Sequence, residues 1–411
     1  MTQQTFAVEN KPRVVITQVE GSLNVQTWKE HSISVETPGT PEGVRQDGDT
    51  VIIRDHTGDL TLWVPAFRNG FRWITTDVSV AHLSGNATIE GAGQVVLNDI
   101  GGNVTLKNIA GDAELEQVGA ITEITTIGGD LRAASMPTLL ARKGIGGELT
   151  VTDVARLEVD AVGGSAELNK VGTVAINAVG GNLDVEGIET SLRCNNVGGD
   201  CRVQDSANAE VNVTNIEGNL QMEGTLRGHM SNVGGNLHLG TAFPAGGSTH
   251  FHVGGNANVE LPDDASVSLH AIVGGQVTGD ALGSSRGGNF ANLVYGDGAA
   301  RLSLIVGGNL RLLGSIVPRR RDMSLPLSGE SWSDFGREMA GIGREMGRMG
   351  RHIGREVATA FKESGWSGRW SQDKRDRPST YSQDRAAILR MVAQGRITPE
   401  EGDMLLSGLR E

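Results

Sequence analysis

The sequence predicts a mainly β protein. It is expected to be a single-stranded β-solenoid (β-helix) with coils of about 17–20 residues, followed by a C-terminal amphipathic helix and a small helical hairpin. Three observations lead to this prediction. A four-residue phrase with two central glycines recurs between residues 83 and 309. Apolar and polar residues alternate after each copy. Beyond residue 316 the composition changes, and apolar residues recur at helical spacing.

The Gly-Gly phrase, an aliphatic residue followed by two glycines and a polar residue, sets the length of one coil. Copies between Ile109 and Val273 begin 17 to 20 residues apart, and a fixed period this short is typical of a solenoid. The phrase stands at 100–103, 127–130, 145–148, 162–165, 179–182, 197–200, 233–236, 253–256, 273–276 and 306–309, with looser copies at 83–86, 109–112 and 216–219.

Residues around the phrase follow the pattern of strands with one buried face. The fourth and sixth residues after the first phrase position are apolar, as at Leu183 and Val185, and the residue between them is polar. The residue three positions before the phrase is apolar too, as at Ile176. This alternation predicts two inward-facing strands per coil.

Two corners are expected to join these strands. We expect the glycine pair to form one corner because glycine reaches positive φ without steric cost. A weaker corner is predicted about half a period later, for example at 171–173. A helical solenoid is disfavoured, because 59 glycines would destabilise helices.

The chain divides into six predicted segments. Residues 1–82 are predicted to form an N-terminal β capping segment, in which 13–17 and 22–27 make a hairpin. A cap is expected because the end of a solenoid exposes unpaired strand edges. The solenoid itself is predicted over 83–316. The remaining segments are a linker at 317–330, an amphipathic Arg/Gly-rich helix at 331–363, a linker at 364–382 and a helical hairpin at 383–411.

The predicted helix at 331–363 carries one apolar stripe, close to a coiled-coil seam. We call it the association helix, because an apolar stripe on a glycine-rich helix needs a partner surface to be stable. Its apolar residues are Phe335, Met339, Ile342, Met346, Met349, Ile353, Val357 and Phe361. The arginines on its polar side could contact an anionic surface: Arg337, Arg344, Arg348, Arg351 and Arg355.

Charge and hydropathy limit the partners and the location. The net charge is −13, and residues 1–316 hold 19 Lys and Arg against 35 Asp and Glu, a net −16. Such an acidic solenoid is not expected to bind nucleic acid. We find neither a secretory signal nor an 18-residue apolar run, so the predicted location is cytoplasmic, with peripheral membrane contact left open.

Three groups of residues are candidate cation, metal or redox sites. Asp112, Asp130 and Glu148 share one register, so they either splay into solvent or hold a cation. The histidines, His250, His252 and His270, are expected to form an outward patch on neighbouring coils, with or without a metal. Cys194 and Cys201 are expected to be small buried hydrophobic residues, with a redox pair as the alternative.

No catalytic motif is visible, so we predict a protein that is not an enzyme and has no cofactor. No small-molecule substrate is identified. The expected partners are a second protein or another copy of the chain.

Three features together resemble one bacterial family. They are the opening strands with Gln-Asp-Gly-Asp at 46–49 and Leu-Trp-Val-Pro at 62–65, the Gly-Gly coils, and the tail at 387–401. The chain resembles the "putative adhesin" β-strand-repeat proteins of unknown function, whose members often carry a SHOCT-like helical module. The hairpin at 383–411 corresponds to that module. The resemblance implies a non-enzymatic β-solenoid, in some members linked to the cell-envelope stress response.

The sequence therefore predicts a structural, scaffolding or adaptor protein that associates through its C-terminal helix. One alternative is a peripheral membrane protein that uses the arginines of that helix. The other is a polymer-forming cytoskeletal protein similar to the bactofilins, whose coils have a similar length.

Overall fold

A computed structural model describes residues 2–9, 11–39, 43–69, 72–206, 209–225, 231–282 and 289–322. This part of the chain is mainly β and forms a long sheet of 30 strands together with a separate two-stranded hairpin. The association helix, its arginines and the helical hairpin fall on residues 323–411 and lie outside the described residues.

The strands of the first half are short until the coils become regular. They are β1 (Thr2–Ala7), β2 (Arg13–Glu20), β3 (Leu23–Trp28), β4 (Ser32–Thr37), β5 (Val44–Asp47), β6 (Thr50–Thr57), β7 (Leu60–Pro65), β8 (Phe67–Asn69), β9 (Arg72–Ile74), β10 (Asp77–Leu83), β11 (Ala87–Glu90), β12 (Val95–Ile100), β13 (Val104–Lys107), β14 (Ala113–Val118), β15 (Ile121–Ile127), β16 (Leu131–Ile145), β17 (Leu149–Val162), β18 (Ala166–Val179) and β19 (Leu183–Val197).

The second half returns to short strands. They are β20 (Cys201–Gln204), β21 (Glu210–Ile216), β22 (Leu220–Thr225), β23 (Ser231–Val233), β24 (Leu237–Ala242), β25 (Ser248–Val253), β26 (Ala257–Glu260), β27 (Val267–Val273), β28 (Val277–Thr278), β29 (Phe290–Val294), β30 (Ala300–Val306), β31 (Leu310–Leu313) and β32 (Arg320–Asp322), with a 3₁₀ helix at Asp280–Leu282.

Each coil adds one strand to each of two columns of hydrogen-bonded strands. The first column runs β5-β6-β2-β10-β12-β14-β16-β17-β18-β19-β20-β22-β24-β26-β31-β28. The second runs β1-β4-β7-β3-β11-β13-β15-β16-β17-β18-β19-β21-β23-β25-β30-β27-β29-β32. β16 to β19 each pass through both columns. This is a β-solenoid-like repeat.

The core lies between the two columns, and the predicted inward residues fill it. Leu183 and Val185 from the first column and Ile176 from the second are at most 2% exposed, and their counterparts in other coils form the same core cluster. Aliphatic side chains of similar size stack at equivalent positions, so each coil buries its apolar face against the next. The predicted alternation is confirmed.

A column of left-handed residues bends ten consecutive coils, from β6 to β20, at the same place. In β14 two consecutive side chains, Glu116 and Gln117, face outward between the buried Leu115 and Val118. Gln117 has a φ of 55°. Residues with positive φ in this column are Asp55, Gln18, His82, Asp99, Gln117, Ser135, Asp153, Lys170, Gly187 and Asp205. The positive φ makes room for the extra outward residue, and the chain changes direction there.

The Gly-Gly corner works differently from our expectation. None of its glycines is among the described residues that have a positive φ. The need for a positive φ is therefore not the reason that glycine occupies these positions. A Cβ at Gly180 would collide with the carbonyl oxygen of Gly163, and one at Gly199 would collide with Oδ1 of Asn182. The second glycine is present in every copy of the phrase, and it is required because consecutive coils approach too closely there for a side chain.

Copies of the phrase do not all lie at the same corner. The copies at 83–86 and 100–103 stack on each other, with the amide of Gly102 donating to the carbonyl of Gly85 at 3.1 Å. Gly111, Gly129 and Gly147 stack at the opposite corner. The step from Ile100 to Ile109 is nine residues, half a coil, and it marks where the phrase changes corner.

At the N-terminal end the predicted hairpin is wrong. β2 and β3 pair in parallel with other coils instead of with each other, so 13–28 is itself a coil. The next coil, β6 and β7, stacks on its outer side, and β10 and β11 stack on its inner side. Antiparallel strands β5, β4 and β1 close this end.

At the C-terminal end the order of coils is also changed. β30 lies between β25 and β27, and β31 lies between β26 and β28. The chain therefore leaves a gap at β26 and fills it later with 300–313. Antiparallel β29 covers β27, and the buried Tyr295 donates a hydrogen bond from its hydroxyl to the carbonyl of Ala281 at 3.1 Å. Antiparallel β32 pairs with β29, so the sheet continues to Asp322, within the predicted 317–330 linker.

The left-handed column predicts which substitutions a bend accepts. Lys170→Val should lower the free energy of unfolding by about 1 to 2 kcal/mol, because a β-branched residue is strained at a φ of 53°. Lys170→Gly removes the same amine but accepts the conformation, as Gly187 does in the next coil. Urea unfolding of the two variants measures the difference, and equal midpoints would contradict a strained bend.

Candidate functional site

Polar side chains at the Gly-Gly corner form a ladder from coil to coil. Oδ1 of Asn182 accepts the amide of Asp200 at 2.9 Å, and Oδ1 of Asp200 accepts the amide of Asn219 at 2.7 Å. The ladder runs in stacking order through Ser165, Asn182, Asp200, Asn219, Asn236, Asn256, Asn309 and Gln276. We call it the corner ladder. It supplies acceptors to amides at a sharp turn, where backbone pairing alone leaves donors free.

The same geometry explains the acidic register at 112, 130 and 148. Oδ1 of Asp112 accepts the amide of Asp130 at 2.9 Å, and Oδ1 of Asp130 accepts the amide of Glu148 at 2.8 Å. These carboxylates therefore serve as acceptors for the neighbouring coil. Across the residues that the structure describes, no group of three or more His, Cys, Asp or Glu side chains could hold a metal ion.

The three histidines lie on the second column near its C-terminal end. His250 and His270 are exposed, as predicted, while Leu269 and Ala271 face the core. The expectation that they occupy neighbouring coils is wrong, because β30 places Ser303 between them. His270 instead packs edge-on against Phe290, with ring centroids 5.2 Å apart.

Cys194 and Cys201 are free thiols buried in the core. Burial raises the pKa of Cys194 to about 12, and it also raises the pKa of Cys201. A buried thiol with a raised pKa is a poor nucleophile and a poor metal ligand. This geometry agrees with the predicted role as small apolar residues.

A groove with a volume of about 440 Å³ crosses the outer face of the second column. It is lined by outward residues of four consecutive coils, with Arg142 at one end and Arg193 at the other. Along the groove Asn195 donates to Asn177 at 3.0 Å, and Asn177 donates to Asp160 at 3.4 Å. The row of donors and acceptors, one set per coil, could bind an extended polar chain by hydrogen bonds.

A second groove, of about 390 Å³, lies on the first column beside the corner ladder. Its outer row consists of Asp184, Arg202, Gln221, His238 and Asn258. Nε2 of His238 lies 3.8 Å from Oε1 of Glu260. Neither groove could be predicted from the sequence, because the residues that line each groove come from successive coils and form no local motif.

The first glycine of the phrase is replaced in three copies, by Ser84, Ala110 and Glu217. Glu217 occupies the place that glycine holds in adjacent coils, and its amide donates to the carbonyl of Val197 at 3.0 Å. Burial raises the pKa of its carboxyl. The raised pKa makes this group easier to protonate than an exposed glutamate.

The association helix and its arginines cannot be placed, since they lie outside the described residues. In the part of the chain that the structure covers, no helix has the length and hydropathy of a membrane span.

Comparisons with known proteins leave the family open. No protein-family model matches this chain, and no curated protein matches it. Among solved structures, it is similar to a "putative cell adhesion protein" from Clostridium sporogenes at 10% identity, covering 76% of this chain and 98% of that one, with a TM-score of 0.13. The two folds do not superpose well at such a score. The resemblance to the adhesin-like repeat family therefore stays a prediction.

The corner ladder predicts a local change in amide protection. Asn219→Ala removes the acceptor for the amide of Asn236, a contact of 2.8 Å. Hydrogen exchange of the peptide that contains residue 236 should then speed up about fivefold, since the bond is worth roughly 1 kcal/mol. Asn219→Asp keeps the acceptor oxygen and serves as the control. Equal exchange in both variants would show that the ladder adds nothing.

Burial of the two thiols predicts their reactivity. In the native protein at pH 8 a thiol reagent should label neither cysteine, and in denaturant it should label both. Because folding raises the pKa of Cys194 from 9.0 to about 12, the stability that this thiol contributes is complete below pH 9 and is lost as the pH rises toward 12. Rapid labelling of the native protein would contradict the buried placement.

Proposed function

We propose that this chain is a non-enzymatic structural scaffold or adaptor, built on a single-stranded β-solenoid. The observation that supports it best is the corner ladder. From Ser165 to Gln276, every coil is tied to the next by a side-chain acceptor as well as by backbone hydrogen bonds. Each coil is therefore held at a fixed distance and rotation from its neighbours.

A rigid repeat of this kind is better suited to presenting surface residues to a partner than to catalysis. Outward residues repeat once per coil on both columns, and each groove is assembled from several coils. A partner that contacts several coils at once meets polar groups at a constant spacing. The scaffold proposal assigns these faces to partner binding.

Association is proposed to occur through the association helix defined above, either with another copy or with a second protein. The basis is its apolar stripe, from Phe335 to Phe361, and a stripe of that length is best covered by another helix. A link to the cell-envelope stress response follows from the family resemblance and belongs to the same proposal.

The two alternative functions, peripheral membrane binding and polymer formation, require different features of the chain. Peripheral membrane binding would use Arg337, Arg344 and Arg348 with the two further arginines of the association helix on anionic lipid. A bactofilin-like polymer would need complementary open ends. The antiparallel strands β5 and β4 at one end and β29 at the other weigh against end-to-end growth.

Solution mass of the full-length chain tests the proposal. Ile342→Glu with Met346→Glu places two charges in the apolar stripe and should abolish association through it, because a buried carboxylate is strongly unfavourable there. Arg344→Gln, on the polar side, is the control and should leave association unchanged. Sedimentation velocity measures both.

A shortened chain that ends at Asp322 should behave like the charged variant, since it keeps β32 and loses the association helix. If the masses of all variants match that of the parent, the scaffold proposal loses its association element. Flotation of the parent with anionic vesicles, lost in the shortened chain, would favour the membrane alternative.

A further inference from the structure

The strands at the ends of the two columns are not equally protected. β5 has four residues and carries Arg45 and Asp47, β28 has two residues, and β32 consists of Arg320, Arg321 and Asp322. Short, charged edges resist pairing with another strand. β1 differs, because its six residues include no charged residue and no proline. Among the described strands, it pairs only with β4.

The backbone groups on the free edge of β1 can be identified. The amide of Val8 donates to the carbonyl of His31 at 3.1 Å, so even-numbered residues of this segment bond toward β4. The odd-numbered Gln3 and Thr5 therefore direct their amides and carbonyls to the free edge. Ala7 does so too, and its carbonyl accepts Nε2 of Gln46 at 2.6 Å. That bond agrees with odd-numbered residues facing the free edge. It also occupies the carbonyl of Ala7, so this end of the edge is not available for pairing.

We propose that β1 pairs antiparallel with β1 of a second copy of this chain, about a two-fold axis. Residues whose groups face each other must both be odd-numbered. The register that uses the unblocked groups places Gln3 opposite the second copy's Thr5, and Thr5 opposite the second copy's Gln3. Four backbone hydrogen bonds then join the two molecules, and Gln4 faces its own equivalent at the axis.

A second copy fits this edge better than an unrelated strand for two reasons. A two-fold contact uses the same patch on both molecules, and the pairing of Gln3 with Thr5 is self-complementary. The side-chain amide of Gln4, half-exposed, can donate to and accept from its equivalent across the axis. Since β1 is the one unprotected edge among the strands that the structure describes, pairing through it stops at two molecules.

This inference goes beyond the proposed function, because it names a surface outside the association helix. The two forms of association use different residues and can fail separately. Pairing through β1 should survive the Ile342→Glu, Met346→Glu substitution, and association through the helix should survive changes in β1.

Cysteine cross-linking in the full-length chain tests the register. Gln4→Cys places two thiols across the axis at a non-hydrogen-bonded pair, where Cα atoms are about 4.5 Å apart and a disulfide can form. Mild oxidation should convert it to a covalent dimer, while Cys194 and Cys201 stay unreactive because they are buried. Arg45→Cys, on the edge strand β5, is the matched control and should form no covalent dimer.

A second variant tests the hydrogen bonds. Thr5→Pro removes the amide that faces the free edge and leaves the bonds to β4 intact. Thr5→Val loses the same hydroxyl contact with Ser34 but keeps the amide. In chains that also carry Ile342→Glu and Met346→Glu, Thr5→Pro should weaken the dimer at least tenfold in sedimentation equilibrium, and Thr5→Val should not, with melting temperatures as the check of folding. Failure of Gln4→Cys to cross-link, or equal dimerisation by Thr5→Pro and Thr5→Val, would overturn the proposal.

Discussion

At the second glycine of each Gly-Gly corner, consecutive coils meet at a distance that leaves no room for a β carbon. The rest of the structure depends on this approach. It lets the amide of Gly199 reach the carbonyl of Gly181 at 2.9 Å, and it brings the side chain of Asn182 within reach of the amide of Asp200 at the same distance. Because the corner holds adjacent coils this closely, equivalent residues of those coils stack directly on each other. The buried core, the column of left-handed bends and the two grooves are all built from such stacked residues.

The coil itself could be predicted from the sequence, because its information is local. Leu183 and Val185 alternate with polar neighbours, and the buried face follows from that alternation alone. The role of the glycines could not be predicted. Positive φ and close approach both favour glycine, and only the position of the neighbouring coil distinguishes them. The left-handed residues, Lys170 among them, were missed because no residue type marks their column.

The stacking order of the coils and the candidate sites were harder to predict from the sequence, for a related reason. The phrases that begin at Val253, Val273 and Val306 look alike, so nothing in them indicates that the last one lies between the other two. Likewise, Arg142 and Arg193 lie at the ends of one groove although 51 residues separate them in the sequence. Sequence periodicity predicts what a residue contacts in the next coil only where coils follow each other in chain order.

The inserted coil has a consequence for synthesis on the ribosome. Residues 267–278 emerge before 300–313, yet their final neighbours are β30 and β31. Until that later segment has left the exit tunnel, the chain can stack 267–278 directly on β25 and β26 in simple chain order. Reaching the native arrangement then requires that contact to open and admit two strands. Co-translational folding of this end is therefore completed out of sequence, after the last coil has been made.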